Sequence, residues 1–408
     1  MNPGRLIASI GVPLFVLGFC CGLAFPEFVP GAHAGDKVDE VVRLVQARYH
    51  QPKTDDELIE GAILGVAREL DPYCDYFTAD KWATFEAEHL DGDLFGVGIR
   101  VEHDNETGFV RVVSPIDNSP ALRAGLQPGD MITAVDGKPI SDIDMNAVIR
   151  MIKGPEGTNV TLTILRGEGD PFDVPLTRAR IELKAVASKR LQREGKSPIG
   201  YVRMTEFTKR SPQELASAIR ELDAAAYVVD LRGNPGGLLD ACVDLCTLFV
   251  GRETIVTTRS RNGDDPRRSE DTIAMPELQD KPVVVLIDGG SASASEIFAG
   301  ALQDFGRATL VGTRSYGKGS VQEPHQLTDG SRFKLTVAIY ELPKGRSGAD
   351  PKFHIAPDEE VKLTGEQAGT VADWWNSMHG DDPEAPMLPA DDPQLMKALE
   401  LLDARLGD

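Results

Sequence analysis

The sequence predicts a multidomain α/β protein, and three observations carry that reading. Two apolar runs, residues 227–231 and 283–287, each feed a glycine-bearing loop and then a helix, the pattern of a parallel sheet covered on both faces. Short alternating strands crowd residues 93–182. Residues 37–90 carry apolar side chains at helical spacing. The 408 residues have room for two or three domains. Apolar residues at 41% and charged residues at 26% are ordinary for a globular chain. The net charge of -21 argues against nucleic acid as a partner, because phosphate binding needs clustered Lys and Arg.

The first 34 residues are a different material. Arg5 precedes an uncharged stretch over residues 6–26, long enough to nearly cross a bilayer and built like an export signal. Ala32-His33-Ala34 offers a small-x-small cleavage site, rather far past the apolar run. A cleaved signal peptide and a retained membrane anchor both stand, and either puts the rest of the chain outside the cytoplasm, in the cell envelope. Cys20 and Cys21 invite a lipoprotein reading, but Phe19 before them is not the small residue that reading needs.

Helices are expected next. Val38, Val41, Val42 and Val45 recur at helical spacing, as do Leu58, Ile59, Ala62, Ile63 and Val66. Asp71-Pro72 ends the second run. Strands follow over residues 97–101, 109–113 and 131–135, with Asp136-Gly137 as a tight turn. A helix is expected over 144–151 with Met145, Val148 and Ile149 inward, and a strand over 160–166 closes this part. Beyond residue 198 the chain alternates strand, glycine loop and helix. The end is acidic and Pro-rich, with a short helix over 393–406.

No metal or cofactor site is expected. Cys242 and Cys246 stand four apart in a helix, with no His or further Cys near enough to complete a metal site. They read as small buried hydrophobes.

The segment Gly290-Ser291-Ala292-Ser293-Ala294-Ser295-Glu296 sets serines between a buried strand and a helix. A helix N-terminus has unpaired N–H groups and a positive dipole end, which suit a developing oxyanion. Ser293-x-x-Glu296 is equally a capping box. None of the seven histidines falls in a motif beside a glycine-rich strand end; His325 reads as a strand side chain. A Ser-His-Asp triad is therefore unsupported. The loop around Gly317-Lys318-Gly319 offers a lysine, which works as a base only if burial lowers its pKa. Gln322 could hold that amine without adding charge. The loop Gly233-Asn234-Pro235-Gly236-Gly237 lacks the spacing of nucleotide-binding loops. A tight turn, a phosphate loop and a donor to an oxyanion hole remain open for it.

Together these pieces resemble one family. Asp230-Leu231-Arg232-Gly233-Asn234-Pro235-Gly236-Gly237, the serine segment, and Tyr316-Gly317-Lys318-Gly319-Ser320-Val321-Gln322 look like the carboxyl-terminal processing (tail-specific) serine proteases, over roughly residues 37–360. The resemblance implies Ser293 as nucleophile, Lys318 as base and Gln322 as its orienting partner. It implies an oxyanion hole from an N–H of Gly236 or Gly237 and that of Ala294. The fold it implies is a crotonase-like ββα protease core with an inserted PDZ domain. The expected division is signal or anchor over 1–34, a helical region over 35–90, the PDZ domain over 91–182, the protease core over 183–360 and an acidic tail over 361–408.

Ala124-Gly125-Leu126-Gln127-Pro128-Gly129-Asp130-Met131-Ile132, with Val135-Asp136-Gly137, resembles the PDZ signature. Such domains lend a strand edge and loop N–H groups to an incoming C-terminus. Leu94, Phe95, Gly96, Val97, Gly98 and Ile99 are then the carboxylate loop and first groove strand. Val148 and Met151 are the expected contacts on the helical wall, unless they only fill the core. Arg166, on the last PDZ strand, is expected to reach the protease domain and regulate it. The implied partners are protein or peptide substrates held by their C-termini, the membrane if the N-terminal segment is uncleaved, and a second copy of the chain through the N-terminal helices. In one respect the chain departs from the family: His354 stands before Ile355-Ala356-Pro357-Asp358 where glycine is frequent. Two rivals are a non-catalytic PDZ scaffold, which predicts decayed Ser293 and Lys318 motifs, and a crotonase-like acyl-CoA enzyme, which the PDZ segment and export signal disfavour.

Overall fold

The computed structural model describes residues 34–104, 107–116, 118–141, 143–267, 275, 278, 280–377, 388–389 and 391–408. The expected signal or anchor over 1–34, with Cys20 and Cys21, lies outside them except for Ala34. No helix among the described residues is long and apolar enough to cross a membrane. The chain divides into two compact units. The first takes the described residues to Thr84 with residues 260–262 and 320–338, and the second takes the rest.

Two helices open the chain, α1 (Ala34–Arg48) and α2 (Asp55–Leu70). The capping box of α2 pairs Thr54 and Glu57: the Thr54 N–H donates to Glu57 Oε2 (2.9 Å) and the Glu57 N–H to Thr54 Oγ1 (3.2 Å). The helix stops at Leu70, before Asp71-Pro72. The region read as helical through residue 90 then holds a short strand, β1 (Asp75–Phe77), ahead of α3 (Ala79–Phe85) and a π-helical turn over Glu86–Asp91. Three residues are too few to show a strand period.

The next part holds β2 (Asp93–Gly96), β3 (Ile99–His103), β4 (Val110–Pro115), α4 (Pro120–Arg123), β5 (Met131–Val135), β6 (Lys138–Pro139), α5 (Met145–Ile152), β7 (Asn159–Leu165), β8 (Phe172–Thr177) and β9 (Ala179–Glu182). Its sheet runs β3-β4-β5-β7-β8 with β6 beside β5, while β2 pairs with β9. The turn at Asp136 (φ 51°) and Gly137 (φ 73°) is left-handed at both residues, as a two-residue hairpin demands. Val97, Val112, Ile132, Val148, Leu162 and Ile164 share one buried core.

The last part contains β10 (Val186–Leu191), β11 (Ile199–Met204), α6 (Ser211–Leu222), β12 (Ala226–Asp230), α7 (Leu239–Val250), β13 (Val256–Ser260), β14 (Gly263–Arg267), β15 (Val283–Ile287), α8 (Ala294–Asp304), β16 (Thr309–Gly312), β17 (Ser320–Gln326), β18 (Arg332–Glu341), β19 (Glu359–Glu360), α9 (Gly365–Ser377) and α10 (Pro393–Leu406). In the first unit β18 pairs with β1. In the second, β11, β12, β15, β16 and β19 run parallel and β10 pairs antiparallel with β11. Every residue of β12 and β15 is buried, which is why both read as apolar runs, broken only by Asp230 at the end of β12. Alternation sends Tyr227 toward α6, where its hydroxyl donates to the Ile219 carbonyl (3.0 Å). It sends Ala226, Val228, Val284 and Leu286 to the other face, against Leu395, Ala398, Leu399 and Leu402 of α10. Residues 361–408 were expected as an acidic tail with a short helix. The expected helix forms as α10, but it covers one face of the sheet, presenting an apolar stripe and burying Asp403 against Arg193 and Lys196.

Candidate active site

The C-terminal ends of β12 and β15 release two loops side by side, the position where open α/β sheets carry their sites. Buried polar groups lock the loops together. Asp288 Oδ1 accepts the N–H groups of Gly233 (2.8 Å) and Gly290 (2.9 Å). The Asn234 carbonyl accepts the Ala292 N–H (3.0 Å) and the Ser295 hydroxyl (2.9 Å). The Asn234 side chain donates to the Met204 carbonyl (2.9 Å) and accepts the Gly236 N–H (2.9 Å). The approach is too close for a side chain: a Cβ on Gly236 would lie 2.8 Å from the Ala292 oxygen and 2.9 Å from Ser293 Cβ.

The three serines have different surroundings. Ser291 and Ser295 are buried and donate to the carbonyls of Leu231 (2.8 Å) and Asn234. Ser293 is half-buried. It sits directly before α8 at φ 56°, ψ -114°, a backbone geometry costing an L-residue on the order of 1–3 kcal/mol.

Glu296 holds that corner. Its buried carboxylate accepts four hydrogen bonds. Oε2 takes the N–H groups of Ser293 and Lys318, each at 2.8 Å. Oε1 takes the Ser315 hydroxyl (2.5 Å) and the Gly317 N–H (2.7 Å). Two bonds to one oxygen keep the Ser293 and Lys318 backbone nitrogens within about 5.6 Å. The Glu296 half of the expected capping box is thus formed, and the same carboxylate also binds the lysine loop. Lys318 is half-buried, and its carbonyl accepts the Tyr340 hydroxyl (2.9 Å). Burial, with the Glu296 charge nearby, pushes the Tyr340 phenol well above its ordinary pKa, so it stays a donor. Gly319 passes Gly348 so closely that a Cβ on it would lie 2.1 Å from the Gly348 Cα.

Among the described residues, the N–H groups of Gly237 and Ala294 donate to no acceptor, whereas that of Gly236 is taken by Asn234. Gln322 lies in β17 within the first unit, where its Nε2 donates to Ser320 Oγ (2.9 Å) and Thr336 Oγ1 (3.1 Å). Cys242 and Cys246 are fully buried in α7, and the Cys242 thiol donates to the Ala294 carbonyl (3.1 Å). Behind the glycine loop, Arg232 is 1% exposed between two carboxylates. It donates to both Asp230 oxygens and to Asp392 Oδ1 (3.1 Å) and Oδ2 (2.9 Å). The sequence reasoning missed Asp392, for nothing local links it to a residue 160 positions away. Glu296 and Asn234 lay inside the motifs, but their partners were invisible there.

The second site is a groove in the strand-rich part. Leu94, Gly96, Val97, Gly98, Ile99 and Val101 line one side, and Ile149, Ile152 and Lys153 the other. Val97 is 1% exposed and Gly98 breaks β2 from β3 at φ 76°. Three expected contacts change. Val148 belongs to the core and Met151 packs against it; neither lines the groove, whose helical wall is Ile149 and Ile152. Phe95 lies in β2, outside this lining, and its carbonyl accepts the Gly154 N–H (3.4 Å). Arg166 was expected to touch the protease domain. It instead donates to Asp130 Oδ1 (2.6 Å) and Oδ2 (2.8 Å) and to the Gly125 carbonyl (2.9 Å), all within the strand-rich part.

Comparison with known proteins identifies the class. Residues 198–361 match the model of Peptidase family S41, and residues 111–166 match that of the PDZ domain. The protein is therefore a serine-type protease carrying a PDZ domain. A carboxy-terminal-processing protease of Bartonella bacilliformis is 39% identical over 386 residues, covering 89% of this chain and 87% of that protein. A carboxyl-terminal-processing protease of Synechocystis is 40% identical over 275 residues, 66% of this chain and 63% of that protein. The solved structure of an S41 protease of Bacteroides fragilis superposes with a TM-score of 0.50 at 19% identity, over 94% of this chain and 99% of that one, and shares the fold. The chain belongs to the carboxyl-terminal processing protease family.

Proposed function

We propose that the protein is an exported endopeptidase that cleaves with a Ser-Lys dyad and selects substrates by their C-termini. The observation that carries this reading is the strained, half-buried Ser293 at a helix N-terminus, with its backbone N–H and that of Lys318 on one Glu296 oxygen. Ser293 Oγ attacks the scissile carbonyl and its proton passes to neutral Lys318 Nζ. The charge that develops on the carbonyl oxygen meets the N–H groups of Gly237 and Ala294. Gly237 is preferred over Gly236, whose N–H Asn234 already holds. The lysine then protonates the leaving amine, and water, deprotonated by the same lysine, releases the acyl group from Ser293. The family resemblance gives Gln322 the orienting role, which an uncharged amide fills without raising the pKa of a lysine.

The groove of Leu94, Gly96, Val97, Gly98 and Ile99 takes the substrate tail by strand addition, against Ile149 and Ile152. Arg166 acts on this part by fixing the 125–130 loop; equal activity of Arg166→Ala and wild type on a tailed substrate would count against it. Repeated strand–helix units around β11, β12 and β15 support the crotonase-like reading of the core. Export rests on the apolar segment over residues 6–26. A homo-oligomer rests on Val41, Leu44 and Ile59, exposed on α1 and α2.

The test is cleavage of a model protein with an apolar C-terminus. Wild type should cleave it, and Ser293→Ala and Lys318→Ala should not. Persistent cleavage by Lys318→Ala overturns the dyad. An inert wild type that still binds the tail favours the scaffold reading.

A further inference from the structure

We propose that Lys153 binds the terminal carboxylate of the substrate tail, an inference that rests on the tail-reading groove proposed above. A carboxylate entering this groove loses water on aliphatic walls, and that loss must be compensated. Backbone N–H groups of the glycine loop can do part of it. Among the residues that line the groove, only Lys153 is charged.

Its position is built rather than incidental. Lys153 caps the C-terminus of α5, where its N–H donates to the Ile149 carbonyl. The buried Arg178 guanidinium clamps the preceding turn, donating to the carbonyls of Met151 and Ile152, each at 2.8 Å. The next residue, Gly154, donates to the Phe95 carbonyl of β2 (3.4 Å). A Cβ on Gly154 would lie 2.9 Å from Arg178 Nε, so the clamp needs glycine there. These bonds set the lysine stem over the glycine loop: a Cβ on Gly96 would meet Lys153 Cα at 3.7 Å and Cγ at 3.8 Å. The stem leaves the chain beside Gly96, at the end of the groove where a strand-added peptide would end. A charge-assisted bond there distinguishes a free C-terminus from a continuing chain, which backbone pairing alone does weakly.

The measurement is fluorescence anisotropy with the Ser293→Ala chain, so that bound peptide is not cut. The probes are two labelled nonapeptides ending in valine, one a free acid and one its amide. The acid should bind tighter, and the preference should weaken as salt rises. Adding Lys153→Met should cut the acid-to-amide ratio by about tenfold, while Lys153→Arg keeps most of it. An unchanged ratio in Lys153→Met overturns the assignment and leaves the tail reading standing. Equal loss of both peptides also overturns it, because the stem then only packs. Equal binding of acid and amide by the Lys153 form overturns the tail reading itself, and the assignment with it.

Discussion

Ser293 is held where a serine would not choose to be, and Glu296 is the residue that holds it. The Glu296 carboxylate is an acceptor for four donors at once. Glu296→Gln turns one oxygen into a donor facing other donors, which costs about 2 kcal/mol and loosens the Ser293 corner. Peptide cleavage should fall by more than tenfold while denaturant unfolding still shows a folded protein. Retained full activity would mean the corner holds itself. Gly236→Ala acts on the same place from the other loop. Its φ of 107° and the 2.8 Å approach to the Ala292 oxygen leave no room for a methyl group, so activity should be lost. Gly289→Ala is the control, because nothing lies within 4 Å of the added atom. Stability assays on it should move by less than about 0.5 kcal/mol.

The elements around the site differ in how readable they were. The strands β12 and β15 were legible because a parallel strand buried on both faces reads as a nearly continuous apolar run. The helix α8 was legible because it starts at a serine segment with a glutamate in its first turn. Position alone did not separate Ser293 from Ser291 and Ser295; that needed backbone angles and hydrogen-bond partners. The groove wall differs because Val148 is taken up wholly by the core, whereas Ile149 and the largely buried Ile152 still reach the groove. The role of α10 was hidden by composition. Its acids made it look like tail, while Leu395, Ala398, Leu399 and Leu402 carried the packing. Asp392 at its start joins Asp230 around buried Arg232. Asp392→Ala leaves that guanidinium with one carboxylate fewer and should cost about 3 kcal/mol, read as a shifted denaturant midpoint. An unshifted midpoint would make the contact dispensable.

Across the molecule, several aspartates share one electrostatic arrangement. The Arg193 guanidinium first, against the opposing effect of burial, and then Lys196 hold the Asp403 carboxyl below its usual range. Burial would raise Asp230, but Arg232 and the Tyr201 hydroxyl outweigh it. Burial likewise opposes Arg166 at Asp130, and the net direction is again down. A lowered carboxylate adds stability above its unfolded pKa, near 3.8, and loses that contribution as pH falls through the folded value. Burial raises the Glu214 carboxyl, so this group works the other way, stabilising as pH falls. The aspartates outnumber it. The denaturant midpoint should be nearly flat from pH 7 to 5 and fall at pH 3; a midpoint that rises at pH 3 would mean that Glu214 outweighs the aspartates.

The two helix cysteines have a use that their inertness creates. Cys242 and Cys246 are sealed behind the residue that follows Ser293, and burial pushes the Cys246 thiol well above its ordinary pKa. Neither can meet an aqueous alkylating reagent while α7 and α8 stay packed. In a Cys74→Ser chain their rate of modification therefore times the opening of this helix pair, and mass spectrometry of the alkylated peptide reads it without an engineered label. A tail bound in the groove would slow that clock only if it steadies the helix that Ser293 precedes, so one chemical rate reports whether recognition and cleavage are joined.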